Sequence, residues 1–355
     1  MSKPNDQSAH AACHSGLFEV CVGVPDLDTS VEYFASFGCS AGPRGSLPAA
    51  AAKRLYGVDS PLESVRLLHG TSDHGLIRLM HWDQPLNDGL GVESHLRCIG
   101  SRWGTRLTNN VLGIANHAQA ALDAGEPIGI IDPLLDVIGE VAGGAVARPF
   151  LDPIVGVREM VVVQPLYRQV FFQRFGYDSA LYGSIATGSL LQTSQHTHCG
   201  LMVATDDHSV FDFYDQVLGL KRWMDAPTEY AKSRGGRAVY ALPPGENFHI
   251  VDFDDPRSGH TRDDRRSGKL KCIRLPGNAT IANKLAQSRA GCLGYSAYTW
   301  RCGDVVAMRQ RIAAAGATDV SDVGTDEFGA SSLSFVAPDG YYWILVQSAQ
   351  GAQTW

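Results

Sequence analysis

The chain has 355 residues, of which 44% are hydrophobic and 19% are charged, and its formal net charge is −7 at pH 7. This length exceeds the size at which one hydrophobic core keeps growing, so we expect two domains of ordinary size. The acidic balance excludes the clustered basic surface of a nucleic-acid-binding protein, and no stretch approaches the roughly 20 consecutive apolar residues of a membrane span.

The N-terminal residues and the cysteines both favour a cytoplasmic protein. Residues 1–16 are polar and lack the apolar core of a secretion signal. The eight cysteines contain no C-x-x-C pair, which excludes the spacing of a zinc ribbon or a redox motif. We therefore expect reduced cysteines that are mostly buried as small apolar residues.

A short apolar strand followed by a small helix and a β-hairpin recurs four times along the chain. The opening strands begin near residues 18, 106, 198 and 295, and such a period indicates internal duplication. We call these repeats units one to four. One βαβββ unit cannot close a barrel alone, whereas two paired units leave a cavity lined by their first and last strands.

In unit one, residues 18–24 predict a strand that places its valines on one face and Glu19 on the other. A capping box at residues 29–32 predicts the start of a helix. Further strands are predicted near residues 65–68 and 76–82.

Unit two has the least regular opening strand, at residues 106–108. A helix is predicted at residues 114–124, and strands are predicted at 140–148 and 157–163, the latter containing Glu159.

In unit three, an opening strand is predicted at residues 198–203, a helix at 210–218 and the final strand at 248–253. Residues 254–269 are dense in both charge signs and predict a solvated loop. That loop could act as a lid, and a plain surface excursion fits equally well. Unit four predicts a strand at 295–300, a helix at 305–315 and, after a turn at 338–340, a last strand at 341–346.

The pattern predicts an α+β fold of four βαβββ modules that form two half-barrel domains. Units one and two are expected to make a domain of residues 1–170, which is non-catalytic or holds a polar pocket. Residues 171–194 are expected to be a linker, because their second half is rich in Gly and Ser. Units three and four are expected to make a domain of residues 195–355 that contains the active-site cavity.

Three motifs resemble a known superfamily. They are His198-x-Gly-Leu-x-Val followed by Asp207, Val24-Pro25-Asp26-Leu27, and Ala337-Pro338-Asp339-Gly340. With them the chain resembles the vicinal oxygen chelate superfamily, of the four-module, two-domain type. That superfamily includes glyoxalases, extradiol ring-cleaving dioxygenases and antibiotic-resistance binding proteins.

The resemblance implies metal ligands on the first and last strands of paired units. Carried over by position, it implies His198 and His249 in unit three and Tyr295 and Ile344 in unit four. A ring-cleaving dioxygenase presents two histidines and one carboxylate to Fe(II). Tyr295 and Ile344 occupy the expected positions of the second histidine and the carboxylate, so the resemblance implies a degenerate metal site.

The candidate residues nevertheless suggest chemistry. His198 and His249 are predicted to point into one cavity, where they would hold a divalent metal (Fe, Mn or Zn) or, with no metal bound, act as acid or base. Tyr295 could donate a hydrogen bond to a developing oxyanion, or simply pack as a barrel residue. Glu159 is a further catalytic candidate. Candidate substrate-binding residues are Met202, Tyr342 and Glu19, although Glu19 could equally belong to a buried ionic cluster.

We expect a small-molecule enzyme that acts on an aromatic or planar oxygenated substrate by stabilising an enolate-like oxyanion, as a lyase or isomerase would. One alternative is an extradiol-type dioxygenase with a displaced carboxylate ligand. Another is a protein that sequesters an aromatic ligand without turnover. The partner is expected to be the substrate alone, with no nucleic acid and no membrane, and the sequence leaves a homodimer open.

Overall fold

The computed structural model describes residues 12–137, 148–261 and 263–348. Units one and two contain β1 (Glu19–Gly23), α1 (Leu27–Ala35), β2 (Ser40–Leu47), α2 (Ala49–Tyr56), β3 (Leu62–Leu68), β4 (Leu76–Trp82), β5 (Arg102–Thr108), α3 (Val111–Asp123), β6 (Gly129–Val137), β7 (Gly156–Val163) and β8 (Arg168–Phe175). Unit three contains β9 (Thr193–Ala204), 3₁₀ turns at His208–Phe211 and Tyr230–Lys232, a π-helical turn at Phe213–Val217, β10 (Lys221–Thr228), α4 (Arg234–Val239), β11 (Phe248–Asp254) and β12 (Lys269–Leu275). Unit four contains a 3₁₀ turn at Leu285–Gln287, β13 (Gly294–Cys302), α5 (Val305–Ala314), β14 (Gly324–Thr325), β15 (Ser331–Val336) and β16 (Tyr342–Gln347).

Helices α1, α3 and α5 begin where a side chain satisfies free N–H groups of the first turn. Asp26 caps α1 by accepting a hydrogen bond from the Thr29 amide at 2.7 Å, so the helix begins before the capping box expected at residues 29–32. Asp304 caps α5 by accepting from the amides of Val306 and Ala307. The continuous helix expected at residues 210–218 is instead a 3₁₀ turn followed by a π-helical turn.

The strands form two eight-stranded sheets, and the predicted α+β fold of four βαβββ units and two half-barrels is confirmed. Sheet one has the order β14-β15-β16-β13-β1-β4-β3-β2, and sheet two has the order β10-β11-β12-β9-β5-β8-β7-β6. In each sheet the opening strands of two units pair antiparallel, β1 with β13 and β5 with β9.

The pairing of consecutive units is wrong, because unit one pairs with unit four and unit two with unit three. Each sheet therefore draws strands from both halves of the chain, which does not fit domains of 1–170 and 195–355 joined by a linker at 171–194. The reason lies in β8, which continues unit two to Phe175 inside the expected linker. Only residues 176–192 then separate β8 from β9, and sequential elements tend to be neighbours in space.

Two other strand predictions need correction. The last strand of unit three is β12 rather than residues 248–253, which form the preceding strand β11. The strand expected at residues 140–148 lies almost wholly outside the described residues, and the strand in that part of unit two is β6.

The two faces of each sheet have different environments. Alternate residues such as Val20 and Val22 of β1 and Leu201 of β9 belong to the largest buried cluster, together with the helices. The opposite faces carry smaller clusters, one on sheet one that includes Tyr342 and one on sheet two that includes Met202. All eight cysteines are unpaired and buried, as predicted. Among the described residues, no helix has both the length and the apolar character needed to cross a membrane.

Candidate functional site

The half-barrel face of sheet two contains a polar cavity at the level of His198. His198 on β9 lies beside Lys269 on β12 and beside Thr105 on β5, so the three residues share one face. The cavity has a volume of about 260 Å³. It is lined by Val157, Glu159, Phe172, Arg174, Tyr177, Ser179, Tyr182, His198, Arg265, Lys269 and Lys271.

Four cations line this cavity, and buried carboxylates neutralise two of them. Lys269 donates to Asp252 with an Nζ–Oδ2 distance of 2.9 Å. Arg265 donates two hydrogen bonds of 2.7 Å to Asp254. Because such pairs hold both partners in place, these two cations form the fixed wall of the cavity. Lys271 and Arg174 remain as the cations with the weakest pairing.

Lys271 and Glu159 make no hydrogen bond or ion pair with other described residues, although both line the cavity. Burial opposes the charge of Lys271, but the nearby Tyr240, Asp252 and Glu159 hold its pKa above the ordinary lysine value. Burial raises the pKa of Glu159, and Lys271 only partly offsets that effect. The cavity thus holds a charged amine and a carboxyl group that accepts a proton more readily than usual.

His198 is a neutral imidazole at the wall of this cavity. Its Nδ1 atom lies 3.2 Å from the Tyr182 hydroxyl and 3.1 Å from Thr197 Oγ1, which itself donates to the Thr105 carbonyl. Burial lowers the pKa of His198 far below its ordinary value, and the surrounding cations lower it further. The ring of Phe172 packs 5.9 Å from the imidazole.

His249 does not converge with His198, so the predicted histidine pair is wrong. His249 on β11 lies opposite Arg274 of β12, whereas His198 lies beside Lys269 of the same strand. Five residues separate these two β12 positions, which is about 17 Å along the strand, and an odd spacing places them on opposite faces of the sheet. His249 instead contacts Asp225, with an Nε2–Oδ1 distance of 2.5 Å.

The other predicted residues lie away from the cavity as well. Tyr295 belongs to sheet one and is 2% exposed, and burial raises its pKa above the ordinary tyrosine value. Met202 shares the face of His198 but is fully buried against Trp103 and its neighbours. Tyr342 is 2% exposed and donates its hydroxyl to the Tyr56 carbonyl at 3.3 Å. None of these side chains is open to a ligand from solvent.

The corresponding face of sheet one is filled by an ionic cluster. Arg78 donates to Glu19 with an Nη2–Oε2 distance of 2.5 Å and to Glu327 with an Nη1–Oε1 distance of 3.3 Å, and all three side chains are buried. Arg66 binds the other oxygen of Glu19 and stacks on Phe328, 4.1 Å from the ring centre. Glu19 is therefore an ion-pair partner, and the turn between β14 and β15 occupies the place of a substrate.

A larger cavity of about 540 Å³ lies between loops of units one and three. In its wall, His74 Nδ1 lies 2.6 Å from Asp73 Oδ1, and His74 Nε2 lies 2.5 Å from Ser267 Oγ. The row Ser267–His74–Asp73 resembles the nucleophile, base and acid of a catalytic triad. Ser267 is 0% exposed, however, so its hydroxyl is closed to a substrate, and we interpret the row as a contact between loops of the two sheets.

The donors at the positions implied by the resemblance do not fit a divalent metal. On sheet two the opening and last strands present Thr105, Phe172, His198 and Lys271, of which only His198 is a good ligand. A lysine ammonium has no free lone pair and repels a cation. On sheet one the guanidinium of Arg78 occupies the oxygen of Glu19 that a metal would need. Neither place offers two histidines and a carboxylate.

Sequence reasoning missed most of the cavity. The sequence places Lys269 at the end of the charged loop and Arg174 in the expected linker. It assigns Lys271 to no predicted strand or helix. The signal for β12 was present, because residues 269–272 alternate between charged and apolar side chains. The charged segment before them hid that period.

Comparisons with known proteins support the fold. No protein-family model matches the sequence, and the comparison with curated proteins finds no match. Among solved structures, glyoxalase I from Zea mays is similar, with a TM-score of 0.53 and 15% identity over 97% of this chain and 95% of that one. One mutant of the same enzyme gives a TM-score of 0.56 and 16% identity over 96% of this chain and 95% of the mutant chain. A second mutant gives a TM-score of 0.54 and 15% identity over 96% of both chains. The chain therefore has the vicinal oxygen chelate fold.

Proposed function

We propose that the protein is a small-molecule enzyme that uses the cavity of sheet two for proton transfer next to an oxyanion. The observation that supports this proposal is the presence of Lys271 and Glu159 in one cavity without ion-pair partners among the described residues. A half-buried amine without an ion-pair partner and a carboxyl group of raised pKa are the two groups that an enolisation requires. Active sites are where such perturbed groups concentrate.

The residues would divide the chemistry between them. The Lys271 ammonium donates a hydrogen bond to the carbonyl oxygen of the substrate and stabilises the enolate that forms there. The Glu159 carboxylate takes the proton from the neighbouring carbon. Return of that proton to a different atom completes an isomerisation, whereas expulsion of a leaving group from the next carbon completes an elimination. No metal is needed in either the isomerisation or the elimination.

The cavity also indicates the shape of the substrate. A volume of about 260 Å³ lies just below the usual range of ligand pockets and suits a molecule of roughly one ring with short substituents. Phe172 and Tyr182 offer ring faces, and the Arg174 guanidinium lies 4.9 Å from the Tyr182 ring centre. These groups favour a planar substrate that carries a negative charge, so we propose small aryl keto acids as the class to test first.

The test uses phenylpyruvate as the probe and follows deuterium uptake at its methylene carbon in heavy water by NMR. The expected result is exchange above the buffer rate that Glu159→Gln reduces by about 10²–10⁴-fold. Binding, measured by the line broadening of the probe, should survive in Glu159→Gln and be lost in Lys271→Met. Lys232→Met, at an exposed lysine paired with Glu229, is the control and should change neither readout.

The aromatic lining favours one alternative, a protein that binds its ligand without turnover. Phe172, Tyr177 and Tyr182 surround Arg174 with ring contacts of 4.9–5.5 Å, which would hold a planar anion firmly. Binding that depends on Lys271, with no exchange above background for any member of an aryl keto acid series, would support this alternative against the enzyme.

A further inference from the structure

A second group of convergent side chains lies on the outer side of unit three. Asp225 on β10 lies opposite Val251 of β11, and His249 is the diagonal neighbour two residues along that strand. Diagonal neighbours on one face are within reach of long side chains. His208, in the 3₁₀ turn after β9, adds a second imidazole, and its ring centre lies 5.1 Å from that of His249.

Three ligand atoms meet in this group. The Oδ1 and Oδ2 atoms of Asp225 lie 2.5 Å from His249 Nε2 and 2.7 Å from His208 Nε2. The three donors lie within 4.8 Å of one another. Two imidazoles and one carboxylate are a donor set that suits Zn²⁺ and its transition-metal neighbours better than Ca²⁺ or Mg²⁺.

The surroundings favour a cation and leave it accessible. The side chains of His208, Asp225 and His249 are 36%, 28% and 20% exposed, so an ion enters without unfolding. An open depression of about 220 Å³ lies beside His249.

The neighbouring charges have a net negative sign. Arg222 donates to Asp225 Oδ2 at 3.0 Å and also binds Asp212 and Asp215. Three carboxylates around one guanidinium leave two negative charges. Arg222 also holds the orientation of the Asp225 carboxylate, as partners behind a metal ligand commonly do.

We propose that His208, Asp225 and His249 form a binding site for one divalent transition-metal ion. The site lies on the opposite face of β11 and β12 from the cavity of His198, so it is separate from the proposed function and stands without it. An ion there ties β10 and β11 to the turn at His208–Phe211, which is the segment that follows the strand carrying His198.

The test is a titration of the full chain with Co²⁺ and Zn²⁺ in a buffer that does not bind metals. One Co²⁺ should bind with visible bands of tetrahedral or five-coordinate nitrogen and oxygen ligation, and Zn²⁺ should displace it. Asp225→Asn and His249→Gln should each weaken Zn²⁺ binding by at least about tenfold. His117→Gln, at an exposed histidine of α3, should bind as the unaltered chain does.

Three results would overturn the proposal. The first is Zn²⁺ affinity unchanged in both Asp225→Asn and His249→Gln. The second is a charge-transfer band from thiolate to cobalt, which would place the ion at a cysteine. The third is no Co²⁺ or Zn²⁺ binding at millimolar metal concentration. Because the altered side chains are partly exposed, both variants should keep the circular dichroism spectrum of the original chain, which verifies that any loss is local.

Discussion

Replacing Arg78 by Met should destabilise the protein strongly without touching the cavity of sheet two. Arg78 is fully buried and binds Glu19, Glu327 and the Tyr56 hydroxyl. Removal of one partner from a buried ionic cluster leaves uncompensated charges and costs about 3–5 kcal/mol. At about 2.1 cal/mol/K per residue, a chain of 355 residues has an unfolding entropy of about 0.75 kcal/mol/K, so the melting temperature should fall by about 4–7 °C.

The assay is urea unfolding at pH 7, combined with calorimetry. Arg44→Met is the matched control, because Arg44 and Asp28 form an exposed pair of 2.6 Å that contributes at most about 1 kcal/mol. A loss in Arg78→Met no larger than in Arg44→Met would refute the interpretation of sheet one as a structural cluster. So would a loss of probe binding in Glu19→Gln, since that would restore Glu19 as a substrate residue.

Three further results are expected. Asp339→Asn should stabilise the protein at pH 8 by up to about 3 kcal/mol, because burial raises the pKa of Asp339 to about 6. The gain should vanish below about pH 4, where the acid is protonated in both the native and the unfolded chain, and urea unfolding at both pH values measures it. Burial lowers the pKa values of His69 (to about 4), His196 and His198, so between pH 6.5 and 5 only the unfolded chain takes up their protons. The free energy of unfolding should therefore fall by as much as about 4 kcal/mol per pH unit below about pH 6.5. Unfolding curves between pH 6.5 and 5 test this slope, which His196→Gln should reduce. A chain cut after the exposed Gly188 should fold only when both fragments are present, as judged by circular dichroism of the separate and mixed pieces, because each sheet needs strands from both.

The fold was predictable where local patterns decide it, and the pairing of units was not. The alternation in β1 and the valines that share one face give the strand, and the face that joins the largest core cluster, without tertiary information. The sequence does not show which opening strand pairs with β1, because the opening strands of all four units present similar edges. The placement of β8 could have decided it, since that strand brings unit two up to β9.

The candidate site shows the same division. His198 was identified from its strand, and the structure places it in a cavity, while its catalytic role stays a prediction. Lys271 could not be recognised, because a lysine after a charged loop is ordinarily solvated, and only the register of β12 beside β9 turns it inward. Glu159 was identified as a candidate for the cavity of units one and two, yet it faces residues of unit three.

The pairing of β1 with β13 has a consequence for a chain emerging from the ribosome. β1 ends at Gly23 and β13 begins at Gly294, so about 270 residues must be translated before the open edge of β1 meets its neighbour. At a translation rate of about 5–20 residues per second, the edge of β1 stays unpaired for roughly 15–55 s. An unprotected strand edge invites pairing with other nascent chains, so the yield of native protein in cells should depend on holding chaperones and on the speed of translation.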